Sequence, residues 1–256
     1  MGDVQGFHAA TLPSMVRWAM NAEGSVTVRG EWPGLVVMRS GWWKAVARPL
    51  HDDSADAVLR AERSSVDFVR KCAQTLVACG AVHVHSPPLM RGTDRMFRAA
   101  GFLPHTELLL LERDLRNNVG PFEGVHLSTE DDLKAAVGVD ANAFAGDWRV
   151  GRLGLDDALS ATPNSTMLSL DRGTGFAIVG VSAEVGYLQR IAVDPREQGR
   201  GLGRVLLRGA MAWARQRGAR SMMLNTQMDN ERATQMYRSE SFTVLPTRLT
   251  IHRFPG

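Results

Sequence analysis

The sequence is poor in cysteine, lysine and tyrosine, and it lacks any long apolar run. It holds 2 cysteines and 2 tyrosines, and only Lys44, Lys71 and Lys134 among its 30 basic residues are lysines. No apolar run approaches the roughly 20 residues of a membrane-spanning helix. Residues 1–8 show no basic-then-apolar signal sequence. We therefore expect a cytoplasmic protein that does not contact a membrane.

The two cysteines also argue against a disulfide-stabilised scaffold. Cys72 and Cys79 lie seven residues apart on a predicted helix, so they share a face but sit two turns apart, too far for a disulfide. Free thiols are the rule in a reducing compartment. The preference for arginine over lysine, together with abundant Ala, Gly and Val, is typical of a high-GC bacterial genome.

The formal net charge of +3 is mild and spread along the chain. No basic tract is interleaved with aromatic residues, so we predict no nucleic-acid partner. His83 and His85 share one face of a predicted strand, a spacing that suits a metal, but no third ligand accompanies them. We predict no metal site, and we expect a monomer or a homodimer.

A glycine-rich turn at residues 193–204 is the most informative segment. A short β-branched strand at 187–193 precedes it, and apolar residues at helical spacing follow over 205–214. A strand that leads into a glycine-rich helix N-terminus is an anion site, because free backbone N–H groups and the positive helix end point at one spot. Glycines at 201 and 203 permit close approach of a diphosphate. The neighbouring arginines, which we expect to add positive charge, are Arg196, Arg200 and Arg204.

Two families of phosphate-binding loop do not fit this turn. The Walker pattern needs Lys-Ser/Thr after its last glycine, where Arg204 and Val205 stand. The dinucleotide fingerprint needs a third glycine at position 206, which is Leu206.

The pattern that remains is Gln198-x-x-Gly201-x-Gly203 after a strand ending in Ala192-Val193. It resembles the acetyl-CoA pyrophosphate loop of the GNAT superfamily of N-acetyltransferases. The alternative is a glycine-rich turn that binds nothing.

A second motif follows the strand predicted at 219–226. It resembles the superfamily's second signature: an Asn, then Ala, then Tyr, and a glycine-phenylalanine pair that opens a strand. The corresponding residues are Asn230, Ala233, Tyr237, Ser241 and Phe242. Serine replaces the usual glycine, which concerns the end of the helix and not the chemistry. The resemblance implies that the tyrosine hydroxyl lies near the coenzyme sulfur; the alternative is a half-buried packing tyrosine.

The first half of the sequence repeats the second in outline. Gly80 and Gly218 lie 138 residues apart, and Phe97 and Tyr237 lie 140 apart, so two markers keep nearly one offset. We predict an α/β (α+β) fold with two tandem acetyltransferase-like domains, each a mixed twisted sheet flanked by helices. The predicted divisions are 1–116, a linker at 117–124, and a catalytic acetyl-CoA-binding domain at 125–256.

The first copy is predicted to have lost the coenzyme site. The strand at 44–48 is followed by residues 49–54, which contain two carboxylates and no glycine. Phe97, which lacks a hydroxyl, stands where the second copy has Tyr237. We therefore interpret the first copy as a degenerate domain without a coenzyme loop; the alternative is an unrelated α+β cap. The tandem layout resembles that of the mycothiol synthases.

The resemblance implies a particular coenzyme site in the second copy. The pantetheine arm lies in a gap between two splayed strands, pairing with Ile191 and Val193, and touches Asn230. A backbone N–H near Ala192 or Val193 polarises the thioester carbonyl. The remaining members of the implied coenzyme site belong to the loop and the start of its helix: Gln198, Gly199, Arg200, Gly201, Leu202, Gly203 and Arg204.

The implied reaction is direct attack of a primary amine on acetyl-CoA in a ternary complex, with Tyr237 as the general acid. No carboxylate or imidazole stands at Tyr187, Gln189 or Asn225, where relatives carry a base. A water relay through Gln189 and Tyr187, or a carboxylate from elsewhere, would have to replace it. The nearest carboxylates in the sequence are Glu184 and Asp147. The missing base favours an amine of low pKa.

The acceptor side is expected from residues 141–149, the helix at 153–160 and the first domain. Phe144 and Trp148 lie four apart on a predicted helix, either as core or as substrate wall. Three functions stay open: an N-acetyltransferase for a small metabolite amine, which we favour, an acetyltransferase for protein N-termini, and a non-enzymatic acyl-CoA-binding or partner-binding module.

Overall fold

A computed structural model describes residues 25–117 and 119–256. The elements of the first half are β1 (Thr27–Arg29), β2 (Val36–Ser40), β3 (Trp43–Pro49), β4 (Ala57–Arg63), α1 (Val66–Ala78), β5 (Val84–His85), β6 (Leu89–Met90), α2 (Arg95–Ala99) and β7 (Leu103–Asp114). Those of the second half are β8 (His126–Leu127), α3 (Glu130–Ala143), α4 (Gly151–Ser160), β9 (Asn164–Ser169), β10 (Gly175–Ser182), β11 (Val185–Val193), α5 (Leu202–Gln216), β12 (Ser221–Gln227), α6 (Glu231–Ser239) and β13 (Thr243–Phe254). Within these ranges no helix is long and apolar enough to cross a membrane.

All the strands form one mixed sheet, in the order β1-β2-β3-β4-β5-β13-β7-β12-β11-β10-β9-β8, with β6 also on β13. The two halves exchange their last strands. Strand β7 of the first half lies between β12 and β13, and β13 of the second half pairs with β5. Leu109, Leu111 and Leu115 consequently belong to the hydrophobic core of the second half. The division at residues 116 and 125 stays a prediction, since the sheet continues across it.

Two tandem copies are visible in local geometry. The rings of Phe97 and Phe102 lie 5.0 Å apart, and those of Tyr237 and Phe242 lie 5.9 Å apart. The residue before each second ring has positive φ: 102° at Gly101 and 64° at Ser241. Ser241 therefore adopts the left-handed conformation that usually selects glycine after a helix. The mixed α/β fold with a tandem layout is confirmed.

The expectation that residues 49–54 correspond to the coenzyme loop is wrong. Strands β3 and β4 pair antiparallel, so this segment belongs to their hairpin. The sequence reading missed β4, which is the strand that leads into α1. From β4 the chain enters α1 through Ser64 and Ser65 alone, and the Ser65 hydroxyl accepts the Phe68 N–H at 3.2 Å. The first half thus has no loop at the start of its helix.

Candidate active site

Strands β11 and β12 diverge, and the gap between them forms the site. Their parallel pairing stops at Leu188 opposite Leu224, although the strands continue to Val193 and Gln227. Gln189 is an extra residue in the pairing of β11 with β10, a β-bulge that bends β11 away from its neighbour. The predicted strand at 187–193 and the predicted gap are both present.

A cavity of about 540 Å³ fills this gap. The predicted site residues that line it are Gln189, Ile191, Ala192, Val193, Gln198, Gly199, Gly201, Leu202, Gly203, Arg204, Asn230 and Tyr237. Two predicted residues, Tyr187 and Arg200, are absent from the lining. Tyr187 lies in the part of β11 that still pairs with β12, opposite Met223. Arg200 is exposed and forms an ion pair with Glu197. The structure brings the other residues together without these two.

Residues 194–201 form the predicted coenzyme loop, and their backbone has the shape of an anion cradle. Gly199 and Gly201 have φ of 86° and 81°, and a Cβ added at either would meet nothing within 4 Å. Both glycines line the cavity. Helix α5 starts at Leu202, directly after Gly201, and its first N–H groups lack intrahelical acceptors. A diphosphate fits the residues present here.

Arg196, Arg200 and Arg204, which were expected to add charge, each have a carboxylate partner, although Arg204 shares Glu240 with Arg208. Arg196 donates to Asp194 at 2.8 Å, and Arg204 lies 3.0 Å from Glu240. Hydrogen bonds from Arg196 hold the pKa of the Asp194 carboxyl far below its usual range. A cation that lines the cavity without a carboxylate partner among the described residues is Arg232, which donates to Gln198 Oε1 at 2.8 Å.

The backbone of β11 faces the gap at alternate residues. The Asp194 N–H bonds to Thr174 O at 2.9 Å, so the antiparallel ladder directs the peptide groups of Ala192 towards β10 and those of Ile191 and Val193 into the gap. The Val193 carbonyl already accepts the Gln198 side-chain amide at 3.0 Å. The N–H groups of Ile191 and Val193, and not that of Ala192, are the donors directed into the cavity.

Tyr237 lies in the cavity wall on α6 and is 4% exposed. Burial raises the pKa of its phenol well above the ordinary value of 10.0, and the nearby Arg190 charge opposes this only in part. The hydroxyl is thus protonated at neutral pH. Asn230 begins the same helix, and its Oδ1 accepts the Ala233 N–H at 3.2 Å.

No carboxylate or imidazole lines the cavity within the described parts of the chain. Glu184 lies at the opposite end of β11 and pairs with Arg220 at 2.9 Å. Asp147 is exposed, in the 3-10 turn that also carries Trp148. Asn225 and Gln189 do line the cavity but cannot act as bases.

His83 and His85 both contact the Asp56 carboxylate at 3.1 Å. Residues 25–117 and 119–256 contain no group of three or more His, Cys, Asp or Glu side chains suited to a metal ion.

The acceptor loop, residues 144–150, lies between α3 and α4. Phe144 and Trp148 do not share a helix as predicted, because α3 ends at Ala143 and Phe144 is extended, with φ of −122° and ψ of 150°. Both aromatic side chains nevertheless line the cavity. The helix predicted at 153–160 is present as α4.

Sequence reasoning missed several lining residues, among them Arg190, Arg232 and Leu108. Arg190 lines the cavity and pairs with the buried Asp140, fifty residues earlier in the chain. Leu108, from β7 of the first half, lines the cavity as well. The sequence did offer one signal for Arg190, since it is a charged residue within an otherwise apolar strand. The sequence gives no signal that Leu108 belongs to the site.

The first half also reaches helix α4, beside the acceptor loop. Arg60 and Arg48 both pair with Asp157 of α4, at 2.8 and 3.4 Å. The β3–β4 hairpin places the Asp52 carboxylate against the first residue of α4, Gly151. Helix α4, which belongs to the predicted acceptor side, therefore contacts both halves.

Comparison with known proteins agrees with this geometry. Residues 159–242 match the model of the acetyltransferase (GNAT) family. The mycothiol acetyltransferase of Thermobispora bispora is 32% identical over 139 residues, which cover 47% of either chain. The [ribosomal protein bS18]-alanine N-acetyltransferase of Salmonella typhimurium is 34% identical over 116 residues, 45% of this chain and 77% of that protein. A solved tandem GNAT protein from the clavulanic acid biosynthesis pathway shares the fold, with a TM-score of 0.55 at 11% identity over 91% of this chain and 84% of the other.

The splayed strands and the glycine loop define the class: this chain belongs to the GNAT family of acetyltransferases. Its match spans about half the length of the mycothiol acetyltransferase.

Proposed function

We propose that the protein is an N-acetyltransferase that transfers acetyl from acetyl-CoA to the primary amine of a small metabolite. The observation that carries the proposal is the continuous cavity from the Gly199–Gly201 cradle, along the free edge of β11, to the buried hydroxyl of Tyr237. A pyrophosphate cradle alone would suit any nucleotide binder. A protonated tyrosine at the far end adds the proton donor that acyl transfer requires.

Each role falls to a residue of this cavity. The N–H groups after Gly199 and Gly201 would hold the pyrophosphate, and the Val193 N–H would donate to the carbonyl oxygen of the acetyl group. When bound, acetyl-CoA supplies an activated thioester. Tyr237 would give its proton to the departing sulfur. Gln189 would orient a water that takes the amine proton. Tyr187 has no direct role in this scheme, because it does not line the cavity.

The residues lining the cavity also bear on the acceptor. Its charged members, Arg190, Arg204 and Arg232, are all cationic, so a protonated amine gains no partner there. An α-amine of pKa about 7.7–8.0 is partly neutral at pH 7, whereas a lysine side chain near 10.4 is almost fully charged. The site therefore favours a low-pKa amine without further positive charge. Support of α4 by Arg48 and Arg60 of the first half suits a small, enclosed acceptor.

A second candidate is transfer to a protein N-terminus. It is favoured by the 34% identity to the [ribosomal protein bS18]-alanine N-acetyltransferase across 77% of that enzyme. An α-amine satisfies the same low-pKa requirement. A peptide acceptor needs an open approach beside the acceptor loop, so competition between peptide and metabolite amines would separate the two candidates.

Calorimetry of acetyl-CoA against the whole chain, followed by free-thiol release with an amine panel, tests the proposal. We expect one site per chain and transfer at pH 7 to a small amine such as glucosamine, but not to Nα-acetyl-lysine. Preferential transfer to a tripeptide beginning with alanine would support the second candidate instead. Binding without thiol release from any amine would contradict it and favour the acyl-CoA-binding module.

A further inference from the structure

A buried ion pair joins strand β11 to the acceptor loop. The Arg190 Nε donates to Asp140 Oδ1 at 2.8 Å, and its Nη2 donates to the Trp148 carbonyl at 2.6 Å. The same Asp140 carboxylate accepts the Val150 N–H at 2.9 Å. The side chains of Asp140 and Arg190 are only 1% and 15% exposed. One ion pair therefore holds the acceptor loop near its C-terminal end.

The guanidinium of Arg190 also contacts the start of the loop. Its Cζ lies 3.6 Å from the centre of the Phe144 ring, which is a cation–π contact. Both side chains line the cavity. Arg190 thus contacts the Phe144 ring and the Trp148 backbone carbonyl, at the two aromatic residues of the acceptor wall.

The charge of Arg190 acts on Tyr237 as well. Arg190 and Tyr237 line the same cavity. Because Arg190 is positive, it opposes the effect of burial on the pKa of Tyr237. Arg190 therefore contacts the acceptor wall and shares the cavity with the proposed general acid.

We propose that Arg190 is a positioning residue that holds the acceptor loop through Asp140 and stabilises the phenolate that Tyr237 becomes on giving up its proton. The inference rests on the proposed acetyl transfer. In that reaction the carbon–sulfur bond breaks as the nitrogen–carbon bond forms. The Tyr237 proton passes to sulfur, one amine proton leaves to water, and the phenolate regains a proton from solvent. Arg190 exchanges no proton.

The two roles are separable by substitution. Arg190→Lys keeps a cation near Tyr237 but loses the planar fork that reaches Asp140 and Trp148 together. Arg190→Gln removes the charge as well. The double change Arg190→Gln with Asp140→Asn leaves no buried charge unpaired and guards against a folding defect. Glu184→Gln is the matched control, since it breaks an exposed ion pair at the far end of the same strand.

The experiment measures kcat and acceptor KM with glucosamine or the alanine tripeptide, whichever the wild type uses. Coenzyme affinity by calorimetry and hydrogen exchange of the Val150 amide accompany it. We expect Arg190→Lys to raise acceptor KM about tenfold with little change in kcat, and Arg190→Gln to lower kcat about tenfold as well. The double variant should resemble Arg190→Gln. The variants at Arg190 should all show faster Val150 exchange than Glu184→Gln, with acetyl-CoA affinity preserved.

An acceptor KM, kcat and Val150 exchange equal to those of Glu184→Gln in every variant would overturn the inference. Equal losses of kcat in Arg190→Lys and Arg190→Gln would overturn the charge role alone. If the wild type transfers acetyl to no amine, the proposed function fails. In that case unchanged Val150 exchange in the variants would also overturn the loop-holding role, and faster exchange would support it.

Discussion

Arg232 donates a hydrogen bond to the side-chain oxygen of Gln198 at 2.8 Å and so joins helix α6 to the coenzyme loop. Gln198 in turn donates to the Val193 carbonyl at 3.0 Å. The chain of contacts links the loop, the free edge of β11 and α6 around one end of the cavity. Arg232 carries a charge there that no carboxylate of the described chain offsets, unlike Arg196, Arg200 and Arg204.

We predict that Arg232→Met weakens acetyl-CoA binding by about tenfold or more at low salt, because it removes a cavity cation with no carboxylate partner. Calorimetry at two salt concentrations measures this. Arg196→Met is the matched control. The Arg196 side chain is 83% exposed and bonded to Asp194. The acetyl-CoA affinity of Arg196→Met should therefore differ from that of the wild type by less than threefold. Equal losses in the two variants would contradict a specific role for Arg232.

We predict that Gly201→Asp abolishes acetyl-CoA binding by placing bulk and negative charge in the pyrophosphate cradle. Gly218→Asp serves as a closely matched control. Gly218 has φ of 87° against 81° for Gly201, and in both cases an added Cβ meets nothing within 4 Å. The strain is therefore similar, but Gly218 lies at the opposite end of α5. Similar melting temperatures with binding lost only in Gly201→Asp are expected; retained binding would contradict the loop assignment.

We predict that Tyr237→Phe lowers kcat about 100-fold or more and leaves acetyl-CoA affinity within about twofold. Burial raises the pKa of this phenol above 10.0, so the proton-bearing form persists as pH rises. The wild-type kcat should accordingly show no decline assignable to Tyr237 between pH 7 and 10. Steady-state rates across that range in both proteins provide the measurement. Full activity of the variant would remove the general-acid role.

The parts of the site that the sequence predicted are those encoded by local pattern. The predicted strand at 187–193, the glycine turn and the helix after it all depend on short-range propensity, and the structure has them as β11, the loop and α5. The capped helix that carries Tyr237 has the same origin. Glycine spacing and alternating apolar residues are readable without tertiary context.

The parts that were missed depend on contacts between distant residues. The Arg190–Asp140 pair spans fifty positions, and Leu108 enters the cavity only because β7 crosses into the other half. Residues 49–54 were interpreted as the position of a degenerate coenzyme loop because the strand that follows them, β4, was not predicted. A hairpin and a strand-to-helix turn have similar composition, so only the strand pairing distinguishes them.

The exchanged strand yields a final prediction about how the halves depend on each other. Strand β7 pairs with β12 along seven residues and with β13 along eight, and it sends Leu109 and Leu111 into the core of the second half. A fragment of residues 119–256 lacks β7 and would expose two unpaired strand edges beside an incomplete core.

We expect the 119–256 fragment to aggregate or to fail to bind acetyl-CoA. A fragment of residues 101–256, which keeps β7, should fold and bind acetyl-CoA. Size-exclusion chromatography, circular dichroism and calorimetry on the pair decide the question. If residues 119–256 form a folded monomer that binds acetyl-CoA as the full chain does, the division at 125 marks an autonomous domain and the exchange is dispensable.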